Sequence, residues 1–259
     1  MLRLFTHRKE NVMPTFKDTV RLSDKKGVKM IAHRGVSGIE RENTCPAFVA
    51  AGNRSYYGVE TDVHCTADGK FVIIHDADLK RVSGGEVTVN VEESNYDAVA
   101  DVVLPDLDGS RVRRDIRVPQ LAEYISICKK YDKYCVLEIK GGFKDEDIKR
   151  MIAEIIELDY LDHMIFISFS LYYCKLIREL LPDAKVQYLT SQAIDDKLID
   201  LLLNCRLDLD IAYPHLTKEN IEKLHGYGIE VNCWTVDLVE YAEPLIEMGV
   251  DYITSDILE

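Results

Sequence analysis

The stretch Gly58 to Asp76, GVETDVHCTADGKFVIIHD, gathers side chains suited to proton and metal chemistry. Read as a strand at its start, it sets Glu60, Asp62, His64 and Thr66 on one face, because side chains alternate with period two. Asp68-Gly69 is a turn signal, and Phe71-Val72-Ile73-Ile74 is a second run with strand propensity. A hairpin centred on Ala67 to Lys70 would pair Thr66 with Phe71 and set Asp62 opposite His75. Two carboxylates and an imidazole then meet on one face, a load that a buried strand does not carry without a use.

More chemistry lies at the ends of other predicted strands. His33 and Arg34 follow Met30-Ile31-Ala32, while Glu138 and Lys140 belong to Tyr134-Cys135-Val136-Leu137-Glu138-Ile139-Lys140. Glu60, Asp62 and Glu138 are hard oxygen donors with no thiolate among them, a set that suits Mg2+ or Ca2+ better than zinc or copper. Without a cation such carboxylates repel, and at least one takes up a proton. The plainer alternative is that each only forms a structural pair with Arg34 or Lys140.

His33 and His75 are the candidate proton-transfer pair, since imidazole titrates near neutral pH. Arg34 and Lys140 can hold an anion, Arg34 by its planar fork and Lys140 as a point charge. This set points to phosphate-ester hydrolysis. A metal would polarise a phosphoryl oxygen, one imidazole would take a proton from the nucleophile, and the other would protonate the leaving alkoxide. His64 faces the same way as Asp62, above the rim, as a candidate third participant. Trp234 is either packing or a platform for an apolar or cationic substrate group. His7, His163, His215 and His225 have no evident partners.

These residues need a scaffold that brings distant strand ends together. Strands are predicted near residues 31, 59, 136, 166, 187, 211, 232 and 253, separated by helical patterns such as Asp145 to Leu158 and Leu238 to Met248. Repeated strand-helix units imply parallel strands with helical crossovers. Eight of them predict a TIM-type (β/α)8 barrel, whose sites form at the C-terminal strand ends. A doubly wound open sheet is the alternative, but no Gly-x-Gly-x-x-Gly follows the first strand. Among later strands only Ser168, Ser170, Gln187 and Trp234 offer polar ends, which places the chemistry on the first third of the barrel.

Residues 1–27 read as an N-terminal arm and 28–259 as the barrel domain. From about 77 to 117 the periodicity fails, and turn signals recur at Gly84-Gly85, Pro105 and Asp108-Gly109. Such a stretch is too long for an ordinary connection and reads as an insertion over the site.

The chain of 259 residues carries 32 Lys and Arg against 45 Asp and Glu, a net charge of -13. That balance argues against nucleic acid or an anionic membrane as a partner, and favours a small-molecule substrate in a locally cationic pocket. No stretch is apolar enough for a signal peptide or a span, so no stable membrane anchor is expected and the cytoplasm is the default compartment. Seven cysteines without C-x-x-C spacing suggest reduced thiols, not a disulfide frame or a zinc site. The oligomeric state is not legible.

The motifs resemble the glycerophosphodiester phosphodiesterase family. The match comprises His33-Arg34-Gly35, Glu42-Asn43-Thr44, Glu60-x-Asp62, Thr66-x-Asp68-Gly69 and Val72-x-x-His75-Asp76. It continues through Pro119-x-Leu121, Leu137-Glu138-Ile139-Lys140, Ser168-Phe169, Trp234-Thr235-Val236 and Gly249-Val250-Asp251, from about residue 30 to the end. The resemblance implies a TIM-type barrel with a small insertion. It also implies His33 and His75 as general acid and base, Glu60, Asp62 and Glu138 as ligands of Ca2+ or Mg2+, and Arg34 and Lys140 on the phosphate.

The implied reaction releases glycerol 3-phosphate and an alcohol from glycerophosphodiesters such as glycerophosphocholine and glycerophosphoethanolamine. Two departures stand out: Arg41 replaces the usual proline before Glu42-Asn43-Thr44, and Val82-Ser83 replaces a threonine-rich segment. A lysophospholipase D-like activity on lipid phosphodiesters is the enzymatic alternative and would need an apolar channel. A non-catalytic barrel scaffold would be expected to have lost one of the seven named residues, and all seven are present.

Overall fold

The computed structural model describes residues 17–259. In chain order the elements are β1 (Lys29–Ala32), α1 (Cys45–Gly52), β2 (Gly58–Cys65), β3 (Phe71–Ile73), α2 (Tyr96–Ala100), α3 (Leu121–Lys130), β4 (Tyr134–Ile139) and α4 (Asp145–Glu157). They continue as β5 (Met164–Ser168), α5 (Leu171–Leu180), β6 (Lys185–Thr190), α6 (Asp196–Cys205), β7 (Asp208–Ala212), α7 (Lys218–Gly226), β8 (Val231–Trp234), α8 (Val239–Met248) and β9 (Tyr252–Ser255). Parallel ladders join β1, β2, β4, β5, β6, β7, β8 and β9 in that order, and β9 pairs back onto β1. The sheet is therefore a closed barrel of eight parallel strands with helices outside, the TIM-type (β/α)8 architecture.

Helix starts follow local chemistry. Thr44, Asp195 and Thr217 cap α1, α6 and α7 by accepting from the backbone N–H groups of Ala47, Leu198 and Asn220. Outward strand residues such as Val59, Val63, Leu209 and Ile211 pack with inward helix faces, including Ile148, Met151 and Ile155 of α4. Inside the barrel the apolar layer is small, made of Ile31, Val136, Ile165, Ile167, Leu189 and Tyr252. On β2, β4 and β7 the inward positions above that layer are Glu60, Asp62, Glu138 and Asp210, all buried. A barrel that devotes its upper interior to carboxylates has traded packing for a site.

The β2–β3 hairpin differs in register from the sequence expectation. Cys65 pairs with Phe71, and Ile74 N–H donates to the Asp62 carbonyl, so Asp62 opposes Ile74, not His75. The cause is a three-residue loop, Ala67-Asp68-Gly69, with Gly69 left-handed at φ +80°. A one-residue slip flips side chains across a ladder. His75 reaches the site because β3 stops at Ile73 and the chain turns away.

β7 begins at Asp208, earlier than the predicted Ile211, because two aspartates broke the apolar run that marks a barrel strand. Of the predicted arm 1–27, residues 1–16 lie outside the described part. Within the remainder Val20 bridges Leu258, and Thr19 and Arg21 bond the Glu259 carboxylate. Residues 77–117 hold only the short α2 and pack around Leu79, Val82, Val91, Val99, Leu104 and Ile116, joined by Val72 and Ile74. Arg41, the residue in place of proline, ties this segment down through the carbonyls of Pro105 and Asp106.

Candidate active site

At the C-terminal mouth of the barrel a cavity of about 110 Å³ is lined by His33, Arg34, Glu60, His75, Glu138, Lys140, Phe169, Asp210 and Trp234, among others. A larger one, about 460 Å³, lies beside the hairpin turn and Arg150. It holds none of the paired histidines or clustered carboxylates, so the smaller cavity is the candidate site.

Glu60, Asp62 and Glu138 each offer an oxygen, all within 4.8 Å of one another. β2 and β4 impose this directly, since Asp62 pairs with Glu138 across their ladder and Glu60 is the next inward position. Burial first, then the charge of Asp62, pushes the Glu60 and Glu138 carboxyls well above the usual carboxylate range. Burial acts on Asp62 in the same sense, but Arg34 and Lys140 overcome it and hold Asp62 low.

Asp62 Oδ2 accepts from Asn43 Nδ2 at 2.8 Å, whereas its buried Oδ1 has no hydrogen-bond partner. Lys140 Nζ lies 3.5 Å from that oxygen, an ion-pair distance without hydrogen-bond geometry. Three convergent hard oxygens, one of them orphaned, suit a divalent cation.

The two histidines are held alike. His33 Nδ1 donates to Asp256 at 2.6 Å and His75 Nδ1 donates to Asp76 at 2.6 Å. His33 Nε2 lies 3.9 Å from Glu60, and His75 Nε2 accepts from Lys140 Nζ at 3.1 Å. Burial works to lower His33, but the Asp256 hydrogen bond and the Glu60 charge outweigh it and raise the imidazole to about 9. His75 goes the other way, lowered by burial despite Asp62 and Asp76. Asp76 resists its own burial through Arg81 and His75 and falls to about 2.

Arg34 sits at φ +51°, a left-handed conformation uncommon outside glycine that here points its backbone N–H at Glu60 Oε2, 2.8 Å away. Its guanidinium bonds Glu42 at 2.8 Å, and its buried Nε lies 3.6 Å from Asp62 without a hydrogen-bond partner. Lys140 Nζ also meets Glu138 at 2.9 Å. The structural pairing weighed against a metal site is thus present, yet it leaves polar groups over on both sides. Trp234 packs edge-on against Phe169, centroids 5.7 Å apart, at the cavity's apolar wall.

All eight sequence-predicted residues line or adjoin this cavity. His64 is set apart: it is buried and bonded to Glu92 and to the His75 carbonyl. Asp256 and Asp210 escaped sequence reasoning. Asp256 follows the last strand with no motif around it. Asp210 sat in a strand whose start was misplaced.

Among the described residues no helix is long and apolar enough to cross a membrane. The model of the glycerophosphoryl diester phosphodiesterase family matches residues 33–259. A glycerophosphodiester phosphodiesterase of Caldanaerobacter subterraneus subsp. tengcongensis is 28% identical, over 88% of this chain and 93% of that protein. Among solved structures, a glycerophosphodiester phosphodiesterase from Parabacteroides distasonis aligns with a TM-score of 0.74 and 27% identity, over 89% of this chain and 93% of the other. An Oleispira antarctica phosphodiesterase, solved with the product sn-glycerol-3-phosphate, aligns at 0.77 and 25% identity, over 88% and 92% of the two chains.

Proposed function

This chain belongs to the glycerophosphoryl diester phosphodiesterase family, a class that hydrolyses glycerophosphodiesters, and we propose that it does so with His33 as general acid, His75 as general base and a divalent cation held by Glu60, Asp62 and Glu138. The observation that carries the reading is the matched clamping of two imidazoles at one cavity. Each has its Nδ1 on an aspartate at 2.6 Å, which leaves Nε2 for chemistry.

The roles divide by hydrogen bonding. Lysine only donates, so the His75 Nε2 that faces Lys140 presents a lone pair and serves as the base. His33, between Asp256 and Glu60, is built to keep a second proton and serves as the acid. Arg34 and Lys140 hold the phosphodiester anion and offset charge that grows on it. Mg2+ or Ca2+ bound by the three carboxylates would polarise a phosphoryl oxygen. His75 takes the proton of the nucleophile, either water or the glycerol hydroxyl, and His33 gives its Nε2 proton to the departing alkoxide; where the hydroxyl attacks first, water then opens the cyclic phosphate. The products are glycerol 3-phosphate and the alcohol.

Glycerophosphocholine and glycerophosphoethanolamine are the proposed substrates, with Trp234 a face for the alcohol. Release of glycerol 3-phosphate from both, assayed with Mg2+, with Ca2+ and with chelator beside His33→Ala, tests the reading. Release that survives exhaustive chelation would end the metal assignment, and an active His33→Ala would end the acid assignment. A second reading, lysophospholipase D-like hydrolysis, draws on Phe169, which remains 47% exposed beside Trp234 at the mouth. Lysophosphatidylcholine as a parallel substrate separates the two.

A further inference from the structure

Glu92 lies in the 77–117 segment, yet its carboxylate reaches across to two strand ends of the barrel. Oε1 lies 2.8 Å from His64 Nδ1 and accepts from the Gly142 backbone N–H at 3.3 Å. The other face of the His64 ring completes the link: Nε2 donates to the carbonyl of His75 at 3.2 Å. The imidazole is buried, while Glu92 reaches it from a half-buried position. Gly141 makes room for the junction. It is left-handed at φ +69°, and a Cβ there would collide with Glu92 Oε1 and come within 2.8 Å of His64 Nδ1.

One carboxylate oxygen thus ties together the loop after β4, which follows Lys140, and the exit from β3, which carries His75. Those two side chains meet at 3.1 Å in the cavity, and neither Glu92 nor His64 lines it. His75 has left the β3 ladder, so no strand hydrogen bond fixes its backbone; the His64 contact does.

We propose that Glu92 and His64 form a positioning relay that sets His75 against Lys140 and makes catalysis depend on the docked 77–117 segment. The relay rests on the assignment of His75 as the base. Loss of the carboxylate lets the His75 backbone drift, and a displacement of about 1 Å costs up to about 100-fold in rate. Glutamine preserves the shape of the junction, since its amide oxygen can take the place of Oε1 and accept both from the Gly142 N–H and from His64 Nδ1.

The test compares kcat and KM of the wild-type enzyme, Glu92→Ala, Glu92→Gln and His75→Ala on glycerophosphocholine at saturating metal, with thermal midpoints for each. Glu92→Ala should lower kcat about 10- to 100-fold with KM within about twofold, and Glu92→Gln should recover most of it. The relay is overturned by an active wild type and an inactive His75→Ala beside an unimpaired Glu92→Ala. It is equally overturned when both Glu92 variants lose rate and thermal midpoint together, the mark of a merely structural contact. An inert wild type, or a fully active His75→Ala, removes the base assignment and the relay with it.

Discussion

Lys140 Nζ lies 3.1 Å from His75 Nε2 and 2.9 Å from Glu138 Oε1, which couples the proposed base to the carboxylate cluster through one ammonium. In the proposed reaction the same group would also neutralise the bound phosphodiester. Lys140→Gln keeps much of the stem but loses the charge, so kcat/KM should fall about 100- to 1,000-fold, the usual size for one preorganised donor at a developing anion. Steady-state kinetics on glycerophosphocholine decide it. A loss confined to KM would mean that Lys140 binds substrate and transition state equally.

Asp256 should matter nearly as much, although nothing in the sequence marks it. It holds His33 Nδ1 at 2.6 Å and takes a second bond from Ser37 Oγ at 2.7 Å. Asp256→Asn keeps the shape but no longer favours the imidazolium, so His33 is a poorer acid-side partner. The expected fall in kcat is about 100-fold or more, within the range for a general acid. The alkaline limb of the kcat/KM profile should move to lower pH, because the raised His33 value depends on that carboxylate. An unmoved alkaline limb would exclude His33 as the acid.

The difference between Asp256 and Asp76 shows what a sequence can reveal. Asp76 is adjacent to His75 and stands in a readable motif, whereas Asp256 meets His33 across 223 positions. The barrel was legible because strand-helix alternation is local and repeats. Glu60, Asp62 and Glu138 were legible because strand parity alone puts them inward. The hairpin register was missed by one residue, since it depends on where Gly69 adopts a left-handed turn. Asp210 was missed because a carboxylate inside a strand hides the apolar run used to find it. The Glu92 contact lay beyond reach because it joins an aperiodic segment to two strand ends.

Metal and pH should act on stability in linked fashion. In the metal-free fold, burial and then Asp62 raise Glu60 to about 7 and Glu138 to about 8, from an ordinary 4.5. Between those limits the folded state holds protons that the unfolded chain has released. Stability in chelator should therefore fall as pH rises from about 4.5 to about 8. A cation held by these carboxylates would replace the protons, so Mg2+ or Ca2+ should raise the thermal midpoint more at about pH 8 than at about pH 6, and its binding should release protons. Thermal melts with and without chelator check this. An equal metal increment at both pH values would mean that these carboxylates are not the ligands.

Asp210 offers a test that needs no substrate. Its residue is buried and its Oδ1 has no hydrogen-bond partner. Burial first, then the Glu60 charge, pushes its carboxyl well above the ordinary 3.8, so the folded state releases that proton at higher pH than the unfolded chain does. An unfolded aspartate gives up that proton near its ordinary value, and each pH step above it favours unfolding. Asp210→Asn is close in shape and does not titrate. Its stability relative to wild type should therefore improve as pH rises above about 4, measured by urea unfolding at each pH. A relative stability that stays flat with pH would show that Asp210 is ionised in the folded protein. It would then be a fourth anion of the site, and the charge balance around His33 and Glu60 would have to be redrawn with it.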